Sequence, residues 1–253
     1  MMIVKFGGHA MKDSQGLFAQ SIKSAISKGE KVIVVHGGGP QINAELSNLK
    51  IESTFVNGYR FTTEEILAVV ERVLTQSVGP EVAANLNSHG VNAKSISAKD
   101  ARILFAEAIA GLGRVGKVSR VEKKAVDELL SLGVIPVIAP IALDVLAGGG
   151  LNINADLAAA AISSAYPDST LIIMTDVAGI YRNWPDQNSL IDDISASDLE
   201  TLRPIFTDGM LPKVEAVLEA IAAGAQSVRI IDGTSEVSFY QALSGLGGTL
   251  VHA

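Results

Sequence analysis

The chain has 253 residues, no cysteine and a formal net charge of −7. This excludes a disulfide scaffold and thiolate chemistry, and it argues against a nucleic-acid or anionic-membrane surface. Hydrophobic residues make up 48% and aromatic residues 5%, which suits a sizeable aliphatic core in one large domain or two lobes. No long apolar run occurs, so the sequence predicts neither a signal peptide nor a transmembrane span, and a cytoplasmic location.

In chain order, "MIVKF" (2–6) reads as a short buried strand ended by Gly7 and Gly8, and 13–28 as an amphipathic helix stopped by Gly29. "KVIVVH" (31–36) is a second strand, too continuous in β-branched residues to be half exposed. A helix follows over about 40–46. Asn57-Gly58 marks a hairpin within 51–62. Helices are predicted over 63–76, 79–89 and 122–132, with short strands in "AKSIS" and "RILFA", a turn near "GKVSRV", and a strand over 134–139. The glycines at 148–150 read as a flexible break. "NINADLAAAAISSA" (152–165) reads as a closely packed helix capped by Asn152, and "STLIIMT" (169–175) as a strand. A loop precedes a short helix at 195–202 and a longer one at 209–224, and "SVRIID" and "TLVHA" are the last strands. Strands alternating with helices imply an α/β fold, a mainly parallel open sheet covered on both faces. The break near 166–169 is the expected boundary between two lobes.

Two strands run straight into glycines, in "VKFGGHA" and "VVHGGGP". Ligands of open parallel sheets bind beyond the carboxyl ends of the strands. Glycine loops there expose backbone N–H groups, and a following helix start adds a positive dipole end, a combination that holds phosphate or another oxyanion. Alternatively, the glycines only make tight turns. Neither loop is a GxxxxGK[ST] or GxGxxG motif.

Lys5 lies inside a buried strand, where an ammonium group is costly unless it snorkels out or faces an anion or carboxylate. Lys213 stands in the first turn of a helix, where a cation opposes the dipole unless an anion lies in front of it. Asp156 reads either as a dipole-favoured acid near a helix start or as an organiser of cations. Arg60, after the hairpin turn, is either solvated or a carboxylate anchor. Asp176 could be a plain turn cap, and Tyr181 and Trp184 could be packing residues. The four histidines form no HxxxH or HxH pair, so no protein-built metal site is predicted. His36 is read as structural rather than as a base.

"VKFGG", "VVHGGGPQIN", "NGYRFT", "NINAD", "TDVAGIY" and "TDGMLPKV" occur in the order found in the amino-acid kinase family, which the chain resembles from about residue 2 to its C-terminus. The resemblance is strongest to members that phosphorylate the γ-carboxylate of N-acetyl-L-glutamate. It implies a three-layer αβα sandwich of the carbamate kinase-like type, with a lobe of about 1–167 binding the acyl-amino acid and one of about 168–253 binding ATP. It implies that Lys5 and Lys213 stabilise the transferring phosphoryl group while Asp156 holds them in place. It assigns the acyl-amino acid to Gly38, Gly39, Arg60 and Asn152. It assigns ATP and its phosphates to Gly7, Gly8, Gly37, Asp176, Val177, Ala178, Gly179, Ile180, Tyr181, Ile205, Phe206, Thr207, Gly209 and Met210, with Mg²⁺ carried by the nucleotide.

Members inhibited by arginine have an extra helix ahead of the first strand, for which residue 2 leaves no room. A homodimer not inhibited through that arrangement is therefore expected. The rival readings are a kinase for carrier-linked aminoadipate or another amino-acid kinase, a nucleotide sensor without turnover, and a glycine-loop dehydrogenase. The acidic chain disfavours an acidic carrier, and the paired lysines disfavour a sensor.

Overall fold

A computed structural model describes residues 1–7, 16–206, 210–235 and 237–253. In chain order the elements are β1 (Met2–Phe6), α1 (Leu17–Ser27), β2 (Val32–His36), α2 (Gly39–Asn48), β3 (Phe55–Val56), β4 (Tyr59–Arg60), α3 (Glu64–Arg72), α4 (Gly79–Ser88), β5 (Ala93–Ser97), β6 (Leu104–Ala108), β7 (Gly116–Val121), α5 (Lys124–Ser131), β8 (Ile135–Ala139), β9 (Ile141–Asp144), β10 (Gly150–Asn152), α6 (Ala155–Ala165), β11 (Thr170–Thr175), β12 (Asp193–Ser195), α7 (Ala196–Leu202), α8 (Leu211–Ala222), β13 (Ser227–Asp232), α9 (Ser238–Leu243) and β14 (Thr249–His252). The chain forms two compact units, Met1–Val32 with Ala159–Ala253, and Ile33–Ala158.

In the first unit the strands pair in the order β12-β14-β13-β11-β1. All of these pairings are parallel except β13 with β14. Ile3, Val4, Leu171, Ile172, Val228 and Ile230 are buried in these strands, as expected where both faces of a parallel sheet are covered. Phe18 of α1 stacks on Phe6 at 4.3 Å between ring centroids and meets Phe239 of α9 at 5.0 Å. The expected split near residue 167 differs from the observed units. β1 pairs in parallel with β11, so the first strand and helix group with the C-terminal residues.

The second unit contains parallel β2-β8-β5, the smaller sheet β10-β9-β6-β7 and the hairpin β3-β4. Asn57 and Gly58 both have positive φ, 49° and 79°, as a two-residue type I′ hairpin turn requires. The helices expected at 63–76 and 79–89 are joined by a π-helical turn, Val73–Val78, instead of being separated. Pro80 supplies no N–H and its ring crowds the preceding turn. The wider π turn, in which the Gly79 N–H reaches Leu74 O, carries the helix past it. Residues 148–150 are not a break: Gly148 and Gly149, with φ of 73° and 75°, turn β9 into antiparallel β10.

The fold is thus of the α/β class with mainly parallel strands. Among the described residues no helix is long and apolar enough to cross a membrane.

Candidate active site

In the first unit, Lys5, Gly7, Asp176 and Lys213 gather at the carboxyl end of β11. Lys5 Nζ donates to the Met174 carbonyl at 3.2 Å. Two residues on, Asp176 Oδ1 lies 3.0 Å from Lys213 Nζ and accepts from Thr175 Oγ1 at 3.0 Å. Partial burial pushes the Asp176 carboxyl up, but its bonds to Lys213 and Thr175 outweigh this and hold it below the usual range. A Cβ on Gly7 would lie 2.7 Å from Met174 O and 3.5 Å from Lys5 Nζ. Gly7 is therefore bare because two strand ends and an ammonium group crowd it. Lys213 stands in the first turn of α8, and its carboxylate partner Asp176 sits beside that helix start.

The rest of the expected nucleotide set divides by side-chain burial. Val177 and Ala178 follow Asp176 in a bend, half-buried. Gly179 packs on Thr249: a Cβ there would collide with Thr249 Oγ1, lie 2.9 Å from its backbone N, and lie 2.9 Å from Leu190 Cδ1. Packing, more than a sharp turn, demands that glycine. Ile180 and Tyr181 are buried; the Ile180 N–H donates to Thr249 Oγ1, and Tyr181 Oη donates to Gln187. The Ile180 carbonyl accepts from the Ile191 N–H at 2.8 Å, so both backbone groups of Ile180 are engaged within the protein. Phe206 and Met210 are buried and Ile205 is exposed. Gly8, Thr207 and Gly209 lie outside the described residues.

In the second unit, β2 runs through His36 into Gly37, Gly38 and Gly39, where α2 begins. A Cβ on Gly38 would lie 2.5 Å from Leu74 Cδ2, whereas one on Gly39 would meet nothing within 4 Å. Helix packing thus requires the bare Gly38, and intramolecular crowding does not account for Gly39. His36 is fully buried, and its Nδ1 meets the Gly37 carbonyl at 2.9 Å. Burial pushes its pKa down to about 4, so the ring is neutral at pH 7 with the proton on Nδ1.

Arg60 is buried, with 7% of its surface exposed. Its Nη1 donates to Ser53 Oγ at 2.6 Å and its Nη2 to Asn43 Oδ1 at 2.7 Å, and it sits 4.7 Å from the Phe55 ring centroid. Burial lowers its pKa. Among the described residues no carboxylate lies within ion-pair distance of it. A buried guanidinium held by neutral acceptors keeps its full charge available to an incoming anion. The sequence gives no sign of Ser53 in this role, although Asn43 closes the "GGGPQIN" stretch.

Asn152 does not cap α6. It lies in β10, where its N–H donates to Arg114 O at 2.8 Å and its Nδ2 to Thr62 Oγ1 at 3.2 Å. The residue bonding the start of α6 is Asn154, whose Oδ1 accepts from the Asp156 and Leu157 N–H groups at 2.8 and 3.3 Å. Antiparallel pairing of β9 with β10 holds the chain extended through residue 152 and moves the cap two positions on. Asp156 stands in the first turn of α6, half-buried.

The model of the amino acid kinase family matches residues 1–232. The chain is 43% identical over 251 residues to the acetylglutamate kinase of Paenarthrobacter aurescens strain TC1, spanning 92% of this chain and 79% of that protein. It is 43% identical over 249 residues to the acetylglutamate kinase of Kineococcus radiotolerans, spanning 92% and 83%. Among solved structures, smu.665 from Streptococcus mutans UA159 superposes with a TM-score of 0.85 at 28% identity, over all of this chain and 98% of that one. Carbamate kinase from Giardia lamblia bound to AMP-PNP superposes with a TM-score of 0.73 at 18% identity, over 99% and 97%, a likeness of fold alone. With a family model covering most of its length and relatives this similar over most of theirs, the chain belongs to the amino acid kinase family.

Proposed function

We propose that this protein transfers the γ-phosphoryl group of ATP to the γ-carboxylate of N-acetyl-L-glutamate, giving N-acetyl-L-glutamyl 5-phosphate for arginine biosynthesis. The observation that carries the reading is Arg60, a buried cation held by Ser53 and Asn43 without a carboxylate partner among the described residues. Such a group suits the α-carboxylate of an acyl-amino acid, bound through two parallel hydrogen bonds. The relatives named acetylglutamate kinase support the substrate.

A carboxylate acceptor, which ordinarily titrates at about 4.3, is already ionised at pH 7. No general base is required, and neutral, buried His36 is not used as one. One γ-carboxylate oxygen forms a bond to the γ-phosphorus while the bond from that phosphorus to the β–γ bridging oxygen breaks. The electron pair leaves on ADP and no proton moves. The obstacle is repulsion between two anions, so catalysis rests on positioning and positive charge. In this reading Lys5 and Lys213 neutralise the developing charge. Asp156 organises them, and Asp176 holds Lys213 extended until the phosphates arrive. Gly38 and Gly39 offer backbone N–H groups to the acceptor side, Gly37 serves the ATP phosphates, and residues 176–181 with 205–207, 209 and 210 line the nucleotide. Mg²⁺ enters on the ATP phosphates. The enzyme is read as a cytoplasmic homodimer, and light scattering should give the mass of two chains.

A hydroxamate trap for acyl phosphates, run with ATP and a panel of N-acetyl-L-glutamate, glutamate, aspartate, aminoadipate derivatives and carbamate, tests the assignment. Trapped product should appear with N-acetyl-L-glutamate well above the rest. Preference for another acceptor would reassign the substrate within the family.

A further inference from the structure

Thr62 is fully buried and bonded to Arg60 and Asn152, two of the four residues assigned to the acyl-amino acid, yet the proposed mechanism gives it no role. Its Oγ1 donates to the Arg60 carbonyl at 2.7 Å and accepts from Asn152 Nδ2 at 3.2 Å. Its backbone is pinned as well: the Thr62 N–H donates to Leu112 O at 3.2 Å, and Thr62 O accepts from the Arg114 N–H at 2.6 Å. Arg114 O in turn accepts from the Asn152 N–H at 2.8 Å. Gly113, at a φ of 68°, lies so close that a Cβ on it would collide with Thr62 O. The guanidinium of Arg114 closes the frame, bonding Asp144 Oδ2 at 3.1 Å and the carbonyls of Gly148 and Gly150 at 2.9 and 2.8 Å.

A hydroxyl has one proton. That of Thr62 is committed to the Arg60 carbonyl, so toward Asn152 the oxygen can only accept. The Asn152 amide must then turn its NH₂ to Thr62, and its Oδ1, which has no hydrogen-bond partner among the described residues, is left as an acceptor for something else. We infer that Thr62 is a positioning residue that fixes Asn152 as a hydrogen-bond acceptor for the N–H of the acyl-amino acid, so that an analogue lacking that donor is rejected. This rests on the proposed acetylglutamate kinase activity. The same hydroxyl ties the Arg60 backbone to that choice, so the anion anchor and the amide acceptor are set by one oxygen.

The test uses the full chain with ATP and either N-acetyl-L-glutamate or its ester analogue, in which an oxygen replaces the acylated N–H. A site built to accept a hydrogen bond rejects an analogue that lacks the donor. The wild type should therefore favour the amide roughly tenfold or more in kcat/KM. Thr62→Val keeps the shape and removes both bonds. It should raise the KM for N-acetyl-L-glutamate roughly tenfold, leave the KM for ATP nearly unchanged, and collapse the amide-over-ester preference. Thr62→Ser should restore both. A residue that merely supports the fold would change activity toward amide and ester alike.

Turnover of the amide without discrimination by the wild type overturns the inference alone, as does a Thr62→Val enzyme that keeps the wild-type preference. If Thr62→Val does not fold, the wild-type ratio decides. A wild type that phosphorylates neither compound overturns the kinase reading, and this inference with it.

Discussion

The two units hold their cations in opposite ways. At the carboxyl end of β11, Lys213 meets a carboxylate, Asp176, that is itself more than half exposed. At the end of the β3-β4 hairpin, Arg60 is buried and held by an amide and a hydroxyl. A long ammonium side chain paired at the surface can exchange its partner for phosphate at little cost, because exposed ion pairs contribute about 1 kcal/mol or less. A buried guanidinium on neutral acceptors is pre-organised for one carboxylate geometry and gains most when that carboxylate arrives. The first arrangement suits a charge that develops during reaction, and the second a charge that is only bound.

The largest expected effect breaks that contrast on the reacting side. Lys213→Ala should lower kcat by roughly 10²–10³-fold, the scale for losing one transition-state donor, with nucleotide affinity by calorimetry largely kept. Unchanged turnover would remove Lys213 from the reaction.

Next in size is the pH dependence of the glycine-loop strand in the second unit. His36 has a folded pKa of about 4 against an ordinary value of 6.5. Between those values the unfolded chain binds the proton and the folded chain does not. The stability His36 leaves intact above pH 6.5 is therefore lost as pH falls toward 4, by up to roughly 3 kcal/mol. Denaturant titrations from pH 7 to 4 should show this loss, and His36→Gln should flatten it. An unaltered slope in that variant would place the acid sensitivity elsewhere.

Arg60→Ala should raise the KM for N-acetyl-L-glutamate by about 10- to 100-fold, the loss of one charge-assisted contact, and barely move that for ATP. Arg60→Lys should recover only part of the loss, since an ammonium group cannot bind a carboxylate through a planar fork. Equal changes for both substrates would dissolve the distinction between the two sites.

The smallest effect sharpens the comparison. Asp176→Asn should change thermal stability by under about 1 kcal/mol yet weaken the hold on Lys213, which kcat would register as a few-fold loss. A strongly destabilised Asp176→Asn protein would show that the pair is structural and not exchangeable.

Much of the molecule is legible in the sequence where the signal is local. The buried β-branched run into His36, the Asn57-Gly58 turn and the strand at 227–232 can be read directly because each depends on residues only a few positions apart. The hairpin of β9 and β10 is hidden because three glycines look the same in a tight turn as in a loose link. The cap of α6 falls two residues from its expected place because pairing across β9 and β10 overrides the local preference of Asn152.

From sequence alone, the α/β alternation, the two strands running into glycines, and the identities of Lys5, Arg60 and Lys213 as candidate cations were determined, since periodicity and residue chemistry travel with the chain. Tertiary structure alone decided which groups those cations meet: Asp176 for Lys213, Met174 O for Lys5, Asn43 and Ser53 for Arg60, and Thr62 as the link between Arg60 and Asn152. The physical reason is that a hydrogen bond acts only over about 3 Å, and only the folded path of the chain brings residues far apart in sequence that close.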